Sequence, residues 1–141
     1  LETLSVRVNY SNASALRVAE FLEDHPAVRW VRYPFLPSHP QHDLAKRQMS
    51  GGGTVVTFEL EAPEGAGKQR AFEVLDKLSL IDISNNLGDS KSLITHPATT
   101  THRAMGPEGR AAIGLGDGVV RISVGLEGTE DLIADLDRAL S

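Results

Sequence analysis

An arginine lies in the middle of an apolar segment near the end of the chain. The even-numbered apolar residues of Val119–Val124 share one face of a predicted strand, and Arg121 points to the other face. A guanidinium forms a planar fork that fits a carboxylate with two hydrogen bonds, and its charge does not titrate away. Arg121 is therefore either a charge on an edge strand or a receptor for an anion, and the pattern alone favours neither.

Two polar segments could add contacts to a small ligand. Asn85 and Asn86 follow a short predicted strand, where asparagine side chains either cap a turn through the backbone or present amides to a ligand. The pattern favours the turn. Thr101 ends a run of three threonines, and hydroxyl groups on such a loop are usually solvated.

Five histidines raise the question of a metal site. His39 and His42 lie three residues apart with Asp43 beside them, and His96 and His102 flank the threonine run. Imidazole and carboxylate groups bind transition metals. The proline after His39, however, puts that pair across a loop and not on one helix face. We therefore expect no metal, and histidines that are solvated or locally hydrogen-bonded.

Hydrophobic periodicity predicts helices that alternate with strands around one core. Apolar residues at three- and four-residue steps predict a long helix over residues 1–24, with a buried face formed by Leu4, Val8, Ala15, Ala19 and Leu22. Further helices are expected over 41–48, around Ala71, Phe72, Leu75 and Leu78, over 107–113, and from an N-cap at Thr129 to the end. Strands are expected over 28–33, 54–61, 80–84, 92–95 and 119–124, with a surface loop over 97–105.

These elements predict a mixed α/β fold of the α+β type. We expect a small open sheet with helices packed on one face, and a single domain over residues 1–141. The connections do not decide the order of the strands.

Composition limits the class of protein. The 141 residues are 40% hydrophobic and 23% charged, as in ordinary globular domains. A formal net charge of −5 with scattered basic residues argues against a nucleic-acid partner. No apolar run has the length of a membrane span, so no membrane partner is expected. The absence of cysteine excludes disulfides and permits a reducing cytoplasm.

Five segments, in order along the chain, form recognisable motifs: Leu36–His42, Ser50–Gly53, Asn86–His102, Asp117–Glu127 and Asp131–Leu136. Together they resemble the cystathionine γ-synthase-like family of pyridoxal-phosphate enzymes. The likeness extends along essentially the whole chain, and within the family it is greatest to the homoserine-ester sulfhydrylases.

The resemblance implies a function and roles for four residues. Such enzymes use pyridoxal 5'-phosphate, and here the reaction would make homocysteine from sulfide and an ester of homoserine. The resemblance favours the succinyl ester, with the acetyl ester as the alternative. By position, Arg121 would bind the α-carboxylate of the amino-acid substrate, and Asn86 and Thr101 would border the same pocket, with Asn85 as a weaker neighbour. Asn86 stands where the family usually has serine.

The resemblance also implies what this chain lacks. The family's cofactor-binding lysine lies in an upstream domain, in a context that none of the lysines here reproduces, so no catalytic residue is expected within residues 1–141. The chain would then be the carboxy-terminal, substrate-side domain, with a small, largely antiparallel sheet. Its helix over residues 1–24 would lead in from the cofactor domain. The full-length protein would be a cytoplasmic homotetramer, active in methionine biosynthesis.

Two alternatives stay open. Within the family, a cystathionine γ-synthase or lyase would share most of these motifs. Outside it, a free-standing regulatory domain that binds a small ligand would have the same alternation of strands and helices.

Overall fold

Proline and glycine set several boundaries of the secondary structure. The long first helix ends at Asp24, two residues before Pro26, and His25 is already extended, since the residue before a proline avoids the helical region. A computed structural model describes all residues from 1 to 141. The helices are α1 Leu4–Asp24, α2 His42–Gln48, α3 Gly67–Lys77, α4 Gly106–Ala112 and α5 Thr129–Leu140. The strands are β1 Val28–Arg32, β2 Val55–Leu60, β3 Asp82–Ile83, β4 Leu93–Thr95 and β5 Val119–Ser123.

The five strands form one sheet in the order β1-β2-β5-β4-β3. Its pairs are antiparallel except for β3 and β4, which run parallel. The expectation of a small, largely antiparallel sheet is therefore confirmed. The last strand in the chain occupies the centre of the sheet, a position that the sequence did not reveal.

The two faces of the sheet have different compositions. On one face the alternating residues of β2 and β5 are fully buried against α1, α3 and α5; they are Val56, Phe58, Leu60, Val120 and Ile122. On the other face Thr57, Arg121 and Thr95 form one row, because the register pairs Arg121 with Thr57 on β2 and with Thr95 on β4. We call this second face the open face.

Three predicted apolar contacts are absent. Leu4 and Val8 are 44% and 38% exposed, because within this chain the buried stripe of α1 begins only at Ser11. Phe72 is 42% exposed, and its ring meets the edge of His96 instead of the core. No helix of the protein is long and apolar enough to cross a membrane.

Two local predictions are also wrong. Gly128, not Thr129, is the N-cap of α5, because the Thr129 hydroxyl lies 2.7 Å from that of Ser14 on α1 and bonds there. The segment expected to be an irregular loop contains two short 3-10 helices, Pro97–Thr99 and Arg103–Met105.

A buried carboxylate joins α5 to the segment between α3 and β3. The side chain of Asp135 is only 2% exposed. It accepts hydrogen bonds from the backbone N–H groups of Ser79, Leu80 and Ile81 at 2.9 to 3.0 Å, and it pairs with Arg138. Burial alone would raise the pKa of Asp135, but these donors outweigh it and lower the pKa to about 2.

We expect Asp135→Asn to destabilise the chain by about 3 kcal/mol at pH 7, because three backbone N–H groups, that of Ile81 fully buried, lose their charged acceptor. In the unmodified chain the carboxylate's contribution is complete above the unfolded pKa of 3.8 and is lost as the pH falls through about 2. That contribution is on the order of 2 kcal/mol.

Urea unfolding of the chain, followed by the fluorescence of its single tryptophan, measures both effects. Asp76→Asn on the exposed side of α3 is the matched control and should leave stability unchanged. Equal stability of the two variants at pH 7 would contradict the assignment.

Candidate functional site

The position of Arg121 resolves the alternative that the sequence left open. It lies on β5, which is the central strand of the sheet and not an edge strand. Its side chain is half-buried on the open face, between Thr57 and Thr95. The edge-strand interpretation is therefore wrong.

The guanidinium of Arg121 has no counter-charge in this chain. No carboxylate lies within ion-pair distance of it. Its Nη2 donates to the backbone carbonyl of Asn85 at 2.9 Å, while its buried Nε has no partner. A half-buried cation with one neutral partner retains donors and charge for a ligand, and a carboxylate matches both.

Asn85 is the residue of the predicted set that the structure brings to Arg121. Its carbonyl oxygen accepts from the guanidinium, and its Oδ1 accepts from the hydroxyl of Thr95 at 3.0 Å. The Thr95 hydroxyl also lies 2.9 Å from that of Thr100, which in turn bonds the carbonyl of His96 at 2.8 Å. These hydrogen bonds fix the backbone group that orients Arg121.

Asn86 and Thr101 lie differently. Asn86 is exposed in the same turn, and only its backbone N–H is bonded, to the hydroxyl of Ser84 at 3.3 Å. The exposed hydroxyl of Thr101 lies 2.8 Å from Nδ1 of His102 and has no bond to Arg121 or Asn85. Within this chain Thr100, one residue earlier, is the threonine connected to Asn85 through Thr95.

Ser123, Gly125 and Glu127, which follow Arg121 in the chain, form hydrogen bonds to the loop that carries Asn85. The hydroxyl of Ser123 accepts from the N–H of Gly88 at 2.8 Å. Gly125 donates its N–H to the hydroxyl of Ser92 at 2.8 Å, and Glu127 accepts from both the N–H and the hydroxyl of Ser92 at 2.7 Å. We call Ser123, Gly125 and Glu127 the β5 clamp. Together they fix both ends of the segment from residue 88 to 92.

The residues of the β5 clamp follow Arg121 at steps of two. Ser123 and Glu127 bond the loop through their side chains and Gly125 bonds it through its N–H, while the N–H of Leu126 donates to the carbonyl of Ser90 at 2.8 Å. The alternation of Arg, Ser, Gly and Glu is visible in the sequence, but it does not by itself predict the clamp. The missing information was the loop on the other side of the contact.

Gly125 is a position where only glycine fits. A Cβ atom there would lie 2.4 Å from the carbonyl oxygen of Ser90 and 2.6 Å from the N–H nitrogen of Ser92. Both are backbone atoms and cannot rotate away. The loop therefore approaches β5 closely because residue 125 has no side chain.

The histidines form no common site. No group of three histidine, aspartate or glutamate side chains lies close enough to hold a metal ion. Nδ1 of His42 lies 3.1 Å from the carbonyl of Pro34, and Nδ1 of His39 accepts from the N–H of Gln41. His96 is buried and bonds the carbonyl of Asp117 at 2.6 Å. His25 lies 3.3 Å from Asp137.

None of the four lysines belongs to the group around Arg121. Lys46 and Lys68 lie over the rings of Phe35 and Phe72. Lys77 donates to the carbonyl of Ser141 and Lys91 pairs with Asp82. No amine of this chain therefore lies beside the guanidinium of Arg121.

Comparison with known proteins identifies the family. The family described as Cys/Met metabolism PLP-dependent enzyme matches residues 1–141. The chain belongs to this family. It is 83% identical, along its whole length, to an O-succinylhomoserine sulfhydrylase of Mycobacterium tuberculosis and 48% identical to one of Pseudomonas aeruginosa.

Solved structures agree with this assignment. The chain superposes with a TM-score of 0.92 and 41% identity on cystathionine gamma synthase from Xanthomonas oryzae pv. oryzae in complex with aminoacrylate and cysteine, over 99% of this chain and 35% of that one. Likewise, the chain spans only 35% and 34% of the length of the mycobacterial and pseudomonal relatives.

The residues of this chain do not fit a complete site for pyridoxal phosphate. The family's cofactor is held through a lysine, and each lysine here lies on the surface with another partner. The guanidinium of Arg121, bonded to the carbonyl of Asn85, has the charge and the donors to bind a carboxylate. No reaction step is therefore assigned to residues of this chain.

We expect Gly125→Ala to cost about 3 kcal/mol or more of folding stability, because the new methyl group must displace the backbone of residues 90–92. Gly128→Ala is the matched control, since its Cβ would meet only the rotatable carboxylate of Asp131 at 2.8 Å. The control should lose only about 1 kcal/mol as an N-cap change.

Urea unfolding compares the two variants, and amide hydrogen exchange at residues 88–92 reports on the loop. Gly125→Ala should speed exchange there relative to the rest of the sheet. Wild-type stability and exchange in Gly125→Ala would disprove the close packing.

Proposed function

We propose that this chain is the carboxy-terminal, substrate-side domain of a pyridoxal-phosphate-dependent sulfhydrylase. The reaction is the formation of homocysteine from O-succinylhomoserine and sulfide, a step of methionine biosynthesis. The observation that carries the proposal is the half-buried guanidinium of Arg121, which lies on the central strand without a counter-charge. The 83% identity to a named sulfhydrylase supports the choice of reaction.

In this proposal Arg121 binds the α-carboxylate of the substrate. The carbonyl of Asn85 restrains the guanidinium through its hydrogen bond, and Asn86 and Thr101 border the pocket on its exposed side. The contribution is one of orientation, because a guanidinium does not exchange protons at neutral pH. The cofactor supplies the electron sink in such enzymes, and the residues that hold it belong to the remainder of the protein.

Other members of the family are the nearest alternatives. The related solved structures are a cystathionine gamma synthase and proteins described as cystathionine or methionine gamma lyases. An O-acetylhomoserine sulfhydrylase would also use a carboxylate receptor at position 121. These reactions are distinguished by comparing the turnover of O-succinylhomoserine, O-acetylhomoserine, cystathionine and methionine by the full-length protein.

A free-standing regulatory domain is the alternative of another class. It would bind an amino acid through Arg121 without any turnover. The chain matches about a third of the length of the related sulfhydrylases, which supports part of an enzyme over a free-standing regulatory domain. We also propose a homotetramer in the cytoplasm for the full-length protein, and light scattering on the purified protein tests the oligomeric state.

We expect Arg121→Ala in the full-length enzyme to lower kcat/KM about 100-fold, mainly through KM. This corresponds to the loss of a charge-assisted, two-bond contact to the carboxylate. Homocysteine formation from O-succinylhomoserine and sulfide is the measurement.

Arg32→Ala is the matched control. Arg32 is an exposed arginine on the edge strand β1, in the same cross-strand row as Thr57 and Arg121. Its loss should leave kcat and KM within about twofold of the wild-type values. A normal KM in Arg121→Ala would rule out the role of Arg121, and an absence of turnover by the wild-type protein would rule out the sulfhydrylase.

A further inference from the structure

A polar cavity lies where β4 ends and β5 begins. It has a volume of about 410 Å³ and is bounded by α3, by the segment after β4 and by α4. Small-molecule sites of proteins begin at roughly 300 Å³. Arg121 and Asn85 are not among its lining residues, so it is separate from the site described above. We call it the cationic cavity.

Three cations line this cavity: Lys68 from α3, Arg103 from the second 3-10 helix and Arg110 from α4. The only acidic residue in its wall is Asp117, which leaves an excess of two positive charges. None of the three cations forms an ion pair within the chain. Lys68 lies over the ring of Phe72, and none of the three has a counter-charge. Cations without counter-charges in the wall of one cavity attract an anion, and the excess of two matches a dianion.

Arg110 provides an independent indication of a ligand. Its Nε is buried and has no hydrogen-bond partner. A buried donor without a partner costs free energy, and nearly all such groups in folded proteins are satisfied by protein, water or a ligand. An anion in the cavity would bring an acceptor to this guanidinium.

The wall of the cavity is held in place by buried hydrogen bonds. His96 is only 2% exposed and donates from Nε2 to the carbonyl of Asp117 at 2.6 Å. Its Nδ1 lies 2.8 Å from the hydroxyl of Thr99, and its ring meets that of Phe72 at 5.5 Å, edge to face. The cavity is therefore preformed, with the exposed ring of Phe72 on one side.

We propose that the cationic cavity binds a phosphate group, either as free phosphate or as the phosphate of a monoester. Phosphate carries up to two charges near neutral pH and offers more acceptor oxygens than a carboxylate, as three separate cations require. The single fork of Arg121, in contrast, fits a carboxylate. The volume of the cavity and the ring of Phe72 leave room for a planar group attached to the phosphate.

Calorimetric titration of the full-length, cofactor-loaded protein tests the proposal. The bound cofactor fills the site for its own phosphate, so the probes cannot bind there. The probes are inorganic phosphate and adenosine monophosphate, at low ionic strength. We expect saturable binding of at least one probe. Arg103→Gln and Arg110→Gln should each weaken it roughly tenfold, as for the loss of one charge-assisted hydrogen bond.

Three variants make the result specific. Arg103 is exposed, so Arg103→Gln tests the charge without disturbing the core, even where Arg110→Gln affects folding. Arg121→Ala is the matched control and should bind the probes with wild-type affinity. If the ligand is a monoester, Phe72→Leu should weaken the binding of adenosine monophosphate but not that of inorganic phosphate. If the ligand is free phosphate, the binding of neither probe should change.

Two outcomes would overturn the proposal. One is that the wild-type protein binds neither probe. The other is that Arg103→Gln binds as tightly as the wild type, whether or not binding is lost in Arg121→Ala. No readout depends on turnover, so the result stands apart from the proposed sulfhydrylase activity.

Discussion

The candidate site depends on the close contact between β5 with its extension and the loop before β4. Gly125 lets the loop backbone approach to a distance that any side chain would prevent, and Glu127 and Ser123 then bond the loop near its two ends. Only with the loop in this place does the carbonyl of Asn85 reach the guanidinium of Arg121. At Gly125 the approach is between backbones, so its geometry is set more strictly than that of the side-chain hydrogen bonds from Ser123 and Glu127.

The same strand also supplies the centre of the hydrophobic core. Val120 and Ile122 on its other face are at most 1% exposed, and burial of such side chains contributes roughly 1.5 to 3 kcal/mol each. The unpartnered Nε of Arg121 costs about 1 to 3 kcal/mol. The apolar face of β5 therefore offsets the charge on the open face, and a central strand can carry a receptor that an isolated hairpin could not.

Local pattern predicted the elements and the side to which Arg121 points, because both follow from alternation within one segment. It did not predict that β5 is central, because strand order depends on pairings between distant segments. The prediction of Thr129 as N-cap was wrong for the same reason, because its hydroxyl bonds that of Ser14 on α1. Thr95 was missed because its hydroxyl lies in an otherwise apolar strand and acts only through the loop that carries Asn85. The roles of Asn86 and Thr101 came from the family resemblance, and neither side chain reaches Arg121 within this chain.

The row of residues on the open face shows that position 121 is specialised. Thr57 and Thr95, on the strands to either side, are residues that a sheet prefers, being β-branched and neutral. A strand selected for stability alone would carry such a residue at position 121 as well. An arginine there introduces a charge that no residue of this chain neutralises, and the hydrogen bond to Asn85 directs that charge without cancelling it. Stability is thus reduced at a point where the proposed substrate carboxylate would restore it, because such a ligand would complete the charge balance of the folded sheet.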